Sequence, residues 1–195
     1  MPGALQPDRY EFAATGDIRQ TDGTTDAPVL GWLGGVVSAQ VAAGAAQTST
    51  TTEALIAQYS IPANTLVAGS VIEVDWQGIA TATTNTDTLT IKLYLGGLGG
   101  TVIATGTATD IANNAAFFGR ALIQVRTAGT SGTFVAYSSH SKVPAASLTA
   151  SPVFELVAST AINTQAAQVI GVGADWSTAD VNNSCRADIF VVKIY

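Results

Sequence analysis

The stretch Val71-Ile-Glu-Val-Asp-Trp-Gln-Gly-Ile-Ala80 decides the fold class. Ile72, Val74 and Trp76 occupy every second position, and Glu73, Asp75 and Gln77 fill the places beside them. Period two is the repeat of a β-strand, whose successive side chains point to opposite faces, so this segment reads as a strand with one face in a core and one in water. The alternation returns at Leu89-Thr-Ile-Lys-Leu-Tyr-Leu95, after a turn over Thr83 to Asp87. Upstream, Glu53 to Ser60 reads as a strand stopped at Ile61-Pro62, because proline cannot donate to a ladder. Downstream, Gly96-Gly-Leu-Gly-Gly100 reverses the chain into Thr101 to Thr107. Further strands are expected at Phe117 to Thr127, Thr133 to Ser141, Val153 to Ser159, Gln168 to Trp176 and Cys185 to Tyr195.

A run of about eight such strands with no amphipathic helical segment selects an all-β, antiparallel sandwich or barrel. The connections over 63–69, 109–116 and 142–152 are longer than hairpin turns, which gives room for crossing between sheets, and a jelly roll is the expected topology. An immunoglobulin-like sandwich comes second, since it takes about 100 residues and a Cys-Trp-Cys spacing that this chain lacks. Residues 1–49 do not follow the alternating pattern. The expected organisation is therefore an N-terminal arm over 1–49 and a sandwich over 50–195.

The arm sets Tyr10, Phe12 and Ile18 among acids and small polar residues, too few apolar groups to form a core. A segment of that kind takes its order from contact with another surface. Farther along, Leu30-Gly-Trp-Leu-Gly-Gly35 offers Leu30, Trp32 and Leu33 between glycines. Trp32 reads equally as an anchor in a partner's groove and as a cover for the domain's own sheet. The uncharged run from Ala27 to Thr52 has the length of a membrane span, but its glycines, Ser38 and glutamines favour packing on protein, and no membrane contact is expected. The N-terminus shows no basic and apolar succession of a signal peptide.

Only 11% of the 195 residues are charged, against about 25% in an ordinary globular domain. So neutral an exterior fits a chain that buries much of its surface in an assembly. The net charge is −6, and half of it comes from Asp8, Glu11, Asp17, Asp22 and Asp26 set against Arg9 and Arg19. Acidic balance argues against nucleic-acid binding, which needs Lys and Arg to displace counterions from phosphates. The final strand points in the same direction: Ile189, Val191 and Tyr195 lie on one face, Phe190, Val192 and Ile194 on the other. A sandwich strand needs only one apolar face, so Ile189, Val191 and Tyr195 are expected at a subunit interface.

Catalytic material is scarce. A Ser-His-Asp device would depend on the single His140, in Ser138-Ser-His-Ser141, and strand neighbours point alternately away from it, so His140 reads as a polar residue at a strand end. One His and one Cys cannot fill a zinc shell, and Cys185 reads as a small buried apolar residue. The glycines of 96–100 and of Gly171-Val-Gly173 precede no helix and read as turn and strand glycines, not as a phosphate loop. Glu73 and Asp75 lie roughly 6.5–7 Å apart on one strand face, near the spacing of a glycosidase pair, but a solvated sheet face accounts for them. Asp175 and Asp180 do not form a calcium-loop ladder. Trp76 and Trp176 sit in phase with apolar neighbours and read as core. The chain is read as a non-enzyme without cofactor or metal.

The segments Ile61-Pro-Ala-Asn64, Val71-Ile-Glu-Val74, Leu89-Thr-Ile-Lys-Leu93, Trp176-Ser-Thr-Ala-Asp-Val-Asn-Asn183 and Ile189-Phe-Val-Val-Lys-Ile194 together resemble small β-sandwich structural proteins of tailed bacteriophages, the head decoration (cement) proteins and related fibre or tail head domains. The resemblance covers roughly 50–195 and rests on strand order and a Trp-Ser to Asn-Asn turn. It implies a subunit of the virion, commonly trimeric, that binds the outer capsid surface and uses extensions to tie capsomers together. Its expected partners are the major capsid protein, through Tyr10, Phe12, Ile18, Leu30, Trp32 and Leu33, and further copies of itself. The alternative is a receptor- or glycan-binding head domain of a tail fibre.

Overall fold

A computed structural model describes residues 9–12, 18–21, 26–28, 35–83, 86–108, 111, 113–142 and 153–195. Among these there is no helix. The strands are β1 (Arg9–Phe12), β2 (Ile18–Thr21), β3 (Asp26–Pro28), β4 (Gly35–Ala39), β5 (Gln47–Thr48), β6 (Ala54–Ile61), β7 (Val71–Thr81), β8 (Leu89–Leu95), β9 (Thr101–Ala108), β10 (Ala115–Thr127), β11 (Gly132–Lys142), β12 (Val153–Ile162), β13 (Gln168–Trp176) and β14 (Ser184–Ile194). All pairings are antiparallel. The all-β antiparallel class is thus the one expected, and β6 to β14 fall on the predicted segments.

The larger sheet runs β12-β11-β10-β7-β14-β4, with β5 also on β14, and the smaller runs β6-β13-β8-β9. Their facing sides enclose one core. Ile72, Val74 and Trp76 of β7, Ile123 and Val125 of β10 and Val192 of β14 meet Leu89, Ile91 and Leu93 of β8 and Ile170, Val172 and Trp176 of β13. Trp76, Trp176 and Cys185 are all buried. The glycine-rich link after β8 is a turn, with Gly96, Gly97 and Gly99 at positive φ, where a side chain would be strained.

Glycines also make room inside the sheet. In the β7–β10 register Phe117 lies opposite Gly78 and Gly119 opposite Trp76. A methyl group on Gly119 would overlap the Trp76 indole, and one on Gly78 would overlap the Phe117 ring. Each strand therefore lends a bare backbone position to the other's aromatic side chain.

Two features of the pairing go beyond the expected class. Within the larger sheet β10, β11 and β12 are successive neighbours. The turn Ala128-Gly-Thr-Ser131 is short enough to close β10 and β11 as a hairpin, with Gly129 at positive φ. Secondly, strand pairing starts well before residue 50. β4 and β5 both add to β14, with Val191↔Ala39 and Cys185↔Gln47 in register. β1, β2 and β3 form a three-stranded sheet of their own. These N-terminal strands escape periodicity because they are two to five residues long, too short for an alternation to declare itself.

Candidate interaction surface

The outer face of the larger sheet combines side chains that the sequence treats separately. On β7 the outer-face positions are Glu73, Asp75 and Gln77; on β10 they are Phe118, Arg120 and Leu122; on β14 they are Ile189, Val191 and Lys193. The registers Arg120↔Asp75, Leu122↔Glu73, Val191↔Asp75 and Lys193↔Glu73 place them in rows across the strands.

The middle of this face is an ion cluster. Glu73 Oε1 accepts from Arg120 and, at 3.0 Å, from Lys193 Nζ, while Tyr195 Oη donates to Glu73 Oε2 at 3.3 Å. Asp75 lies 3.6 Å from Arg120 Nε and 3.8 Å from Lys193 Nζ. Two carboxylates thus meet two cations. The hydrogen bond from Lys193, followed by those from Arg120, holds the Glu73 carboxyl below its ordinary range against the opposing effect of burial. The bond to Glu73 in turn raises Lys193. Glu73 and Asp75 lie on the expected face and are ion-paired there, Glu73 buried and Asp75 partly open to solvent.

On both sides of the cluster the face is apolar and open. Toward β12 lie Leu122, Tyr137, Phe154 and Leu156, each more than two-fifths exposed, with Leu156 at 78%. Tyr137 and Phe154 stack with ring centroids 6.1 Å apart and planes at 22°. Toward β14 lie Ile189 and Tyr195, exposed at 42% and 44%, with Val191 half-buried between them. All three residues expected at a subunit interface thus share this outer face, while Phe190, Val192 and Ile194 enter the core. Sequence reasoning missed Phe118, Leu122, Tyr137, Phe154 and Leu156. The signal was available: Phe117-Phe118 and Leu122-Ile123 put apolar residues on both faces of β10, the same sign that marked β14.

Of the residues expected to contact a capsid, Tyr10 and Phe12 belong to β1 and Ile18 to β2, whereas Leu30, Trp32 and Leu33 lie outside the described residues.

His140 lies two residues before the end of β11. It is buried on the inner side of β11, and its Nε2 donates to the Thr105 carbonyl of β9 at 2.9 Å. Ser138, two residues earlier on the same side, donates to the Ile103 carbonyl at 3.2 Å. Glu155 of β12 accepts from the Thr105 amide at 2.7 Å. Three outward backbone groups at the middle of β9, the Ile103 and Thr105 carbonyls and the Thr105 amide, are therefore satisfied by side chains of the opposite sheet without a ladder. A cavity of about 10 Å³ adjoins His140, lined by Trp76, Ala104, Gly106 and Phe117, a size that suits a single water. His140 and Ser138 thus fasten a strand.

On the outer face of the smaller sheet, Tyr94 Oη donates to Glu53 Oε1 at 2.7 Å and Lys92 Nζ approaches Glu53 Oε2 at 3.3 Å. Burial pushes the Tyr94 phenol up, and Glu53 adds to the shift. For Lys92 burial acts downward, but the bonds to Glu53 and Tyr94 outweigh it and the amine is raised. Among the described residues no group of three or more His, Cys, Asp or Glu side chains is disposed to hold a metal ion, and no helix is long and apolar enough to cross a membrane.

Comparison with protein-family models, with curated proteins and with solved structures gives no match.

Proposed function

We propose that the protein is a structural component of a phage virion, a decoration or cement protein that binds the outer capsid surface and stabilises contacts between capsomers. The observation that supports this reading most is the outer face of the larger sheet, where exposed apolar side chains flank an ion cluster that is already neutralised within the chain. Such a face gains by being covered and needs no charged partner to complete it. The low charge of the whole chain and its resemblance to phage sandwich proteins point the same way. In this reading Ile189, Val191 and Tyr195 meet another copy in a trimer, and the N-terminal segment carrying Tyr10 and Phe12 meets the major capsid protein. The mechanism is mass action: a ligand that binds only the assembled shell stabilises it by its binding free energy.

The test is binding to undecorated capsids built from the major capsid protein of the same phage. The intact chain is expected to saturate a fixed number of sites and to raise the temperature at which the capsids rupture. Deleting residues 1–34 spares β4 and so leaves the sandwich whole; occupancy is expected to fall at least ten-fold. Ile189→Glu is expected to lower the mass of the free assembly. Undiminished occupancy after the deletion would remove the N-terminal segment from the mechanism. A chain that ignores capsids but binds host cells would replace the reading with that of a receptor-binding head domain.

A further inference from the structure

The two sheets end on the same side of the sandwich in opposite ways. β9 has three outward backbone groups in its middle, at Ile103 and Thr105, taken up by Ser138, His140 and Glu155. β12, which overhangs it, pairs with β11 alone among the described residues. An unpaired edge is ordinarily blunted by lysine, proline, an inward charge or a bulge. β12, Val153-Phe-Glu-Leu-Val-Ala-Ser-Thr-Ala-Ile162, contains neither lysine nor proline. Its one charge, Glu155, is turned inward, but its carboxylate is already engaged by the Thr105 amide of its own chain and is not a free charge on the edge. A bulge at Ala158-Ser159, where β12 spends two residues against Val135, interrupts only the later half. The run from Val153 to Val157 is left regular, with Phe154 and Leu156 on the outer face.

We infer that this edge pairs antiparallel with the same edge of a second copy, joining two larger sheets across a two-fold axis. The choice of occupant follows from charge and shape. The outward row holds no charge of either sign, so an acidic or basic strand gains nothing there, whereas the strand's own copy brings the same regular run, whose one charge, Glu155, is engaged within its own chain. Registers centred on Phe154 or on Leu156 set that residue against its own copy and put each Glu155 opposite a valine, Val153 or Val157. A register centred on Glu155 would oppose two carboxylates and is disfavoured. The Tyr137–Phe154 stack holds the outer side chains in place before the strands meet. The inference is independent of the capsid reading: with a trimer formed through β14 the pairing yields a dimer of trimers, and without one a dimer.

The experiment is sedimentation velocity on the intact chain from low micromolar to hundred-micromolar concentration, beside Phe154→Lys and Leu156→Lys. Both positions face solvent, so the variants are expected to keep the wild-type circular dichroism and melting temperature. The wild type is expected at twice the mass of either lysine variant. Phe154→Cys or Leu156→Cys is expected to give a covalent dimer on a non-reducing gel, the one that forms identifying the register. Equal masses for wild type and both lysine variants, together with no cross-link from either cysteine, would overturn the pairing. Unchanged mass with lost capsid binding would overturn it too, since the strand would then belong to a capsid segment.

Discussion

At Gly119 a missing side chain is a structural requirement, because the Trp76 indole occupies the space above it. Gly119→Ala is expected to cost about 1–3 kcal/mol by overpacking. Combining it with Trp76→Phe should recover part of that loss, a coupling visible in urea denaturation of the four members of the cycle. The Trp76 phase was legible in the sequence; its dependence on a glycine in another strand was not, since only the β7–β10 register brings them together. Glu73 supports a prediction about pH. Its folded-state value is depressed, so its ionised form contributes stability above the ordinary value of 4.5, and the contribution is lost as pH falls through the folded-state value. Stability measured from neutral pH downward should fall in that acid range for the wild type. In Glu73→Gln the fall should be visibly shallower, and an identical slope would remove Glu73 from the acid response.

Among the strands, the edges carry the lesson. In β9 the Thr105 amide is bonded by a side chain, so it should resist exchange despite lying at the edge of the smaller sheet. The Thr105 amide donates to Glu155, and Glu155→Ala should speed its hydrogen exchange at least ten-fold while leaving amides at the centre of β13 unchanged. Loss of the carboxylate acceptor should cost about 1–3 kcal/mol in addition. Strand positions from β6 onward could be read from alternation because these strands are seven residues or longer and keep one face in the core. Their order could not be read. Alternation says which side chains are buried but not which strand lies beside which: the connection over 142–152 is long enough for a crossing between sheets, yet β11 and β12 are neighbours in one sheet. The outer face was half legible: β14 declared it, whereas β11 and β12 join it only through the sheet.

For the molecule as a whole, strand pairing reaches into the segment expected to be an arm. β4 and β5 both pair with β14, and Val37 packs against the core. A chain shortened to begin at residue 35 should keep the melting temperature of the intact sandwich. One shortened to begin at residue 50 should melt about 5–10 °C lower, the effect of losing 2–3 kcal/mol in a chain of this size. Differential scanning calorimetry of the two fragments decides between an arm that ends at Gly35 and one that ends at Thr50. β14 itself has a further consequence. It lies between β7 and the pair β4 and β5, yet it is synthesised after all of them. While the ribosome is still at work, β7 must wait with one flank bare, so the larger sheet closes only once translation has passed Ile194. Its assembly is therefore late and governed by long-range encounters, and a chaperone that shields β7 during that interval should raise the yield of native protein.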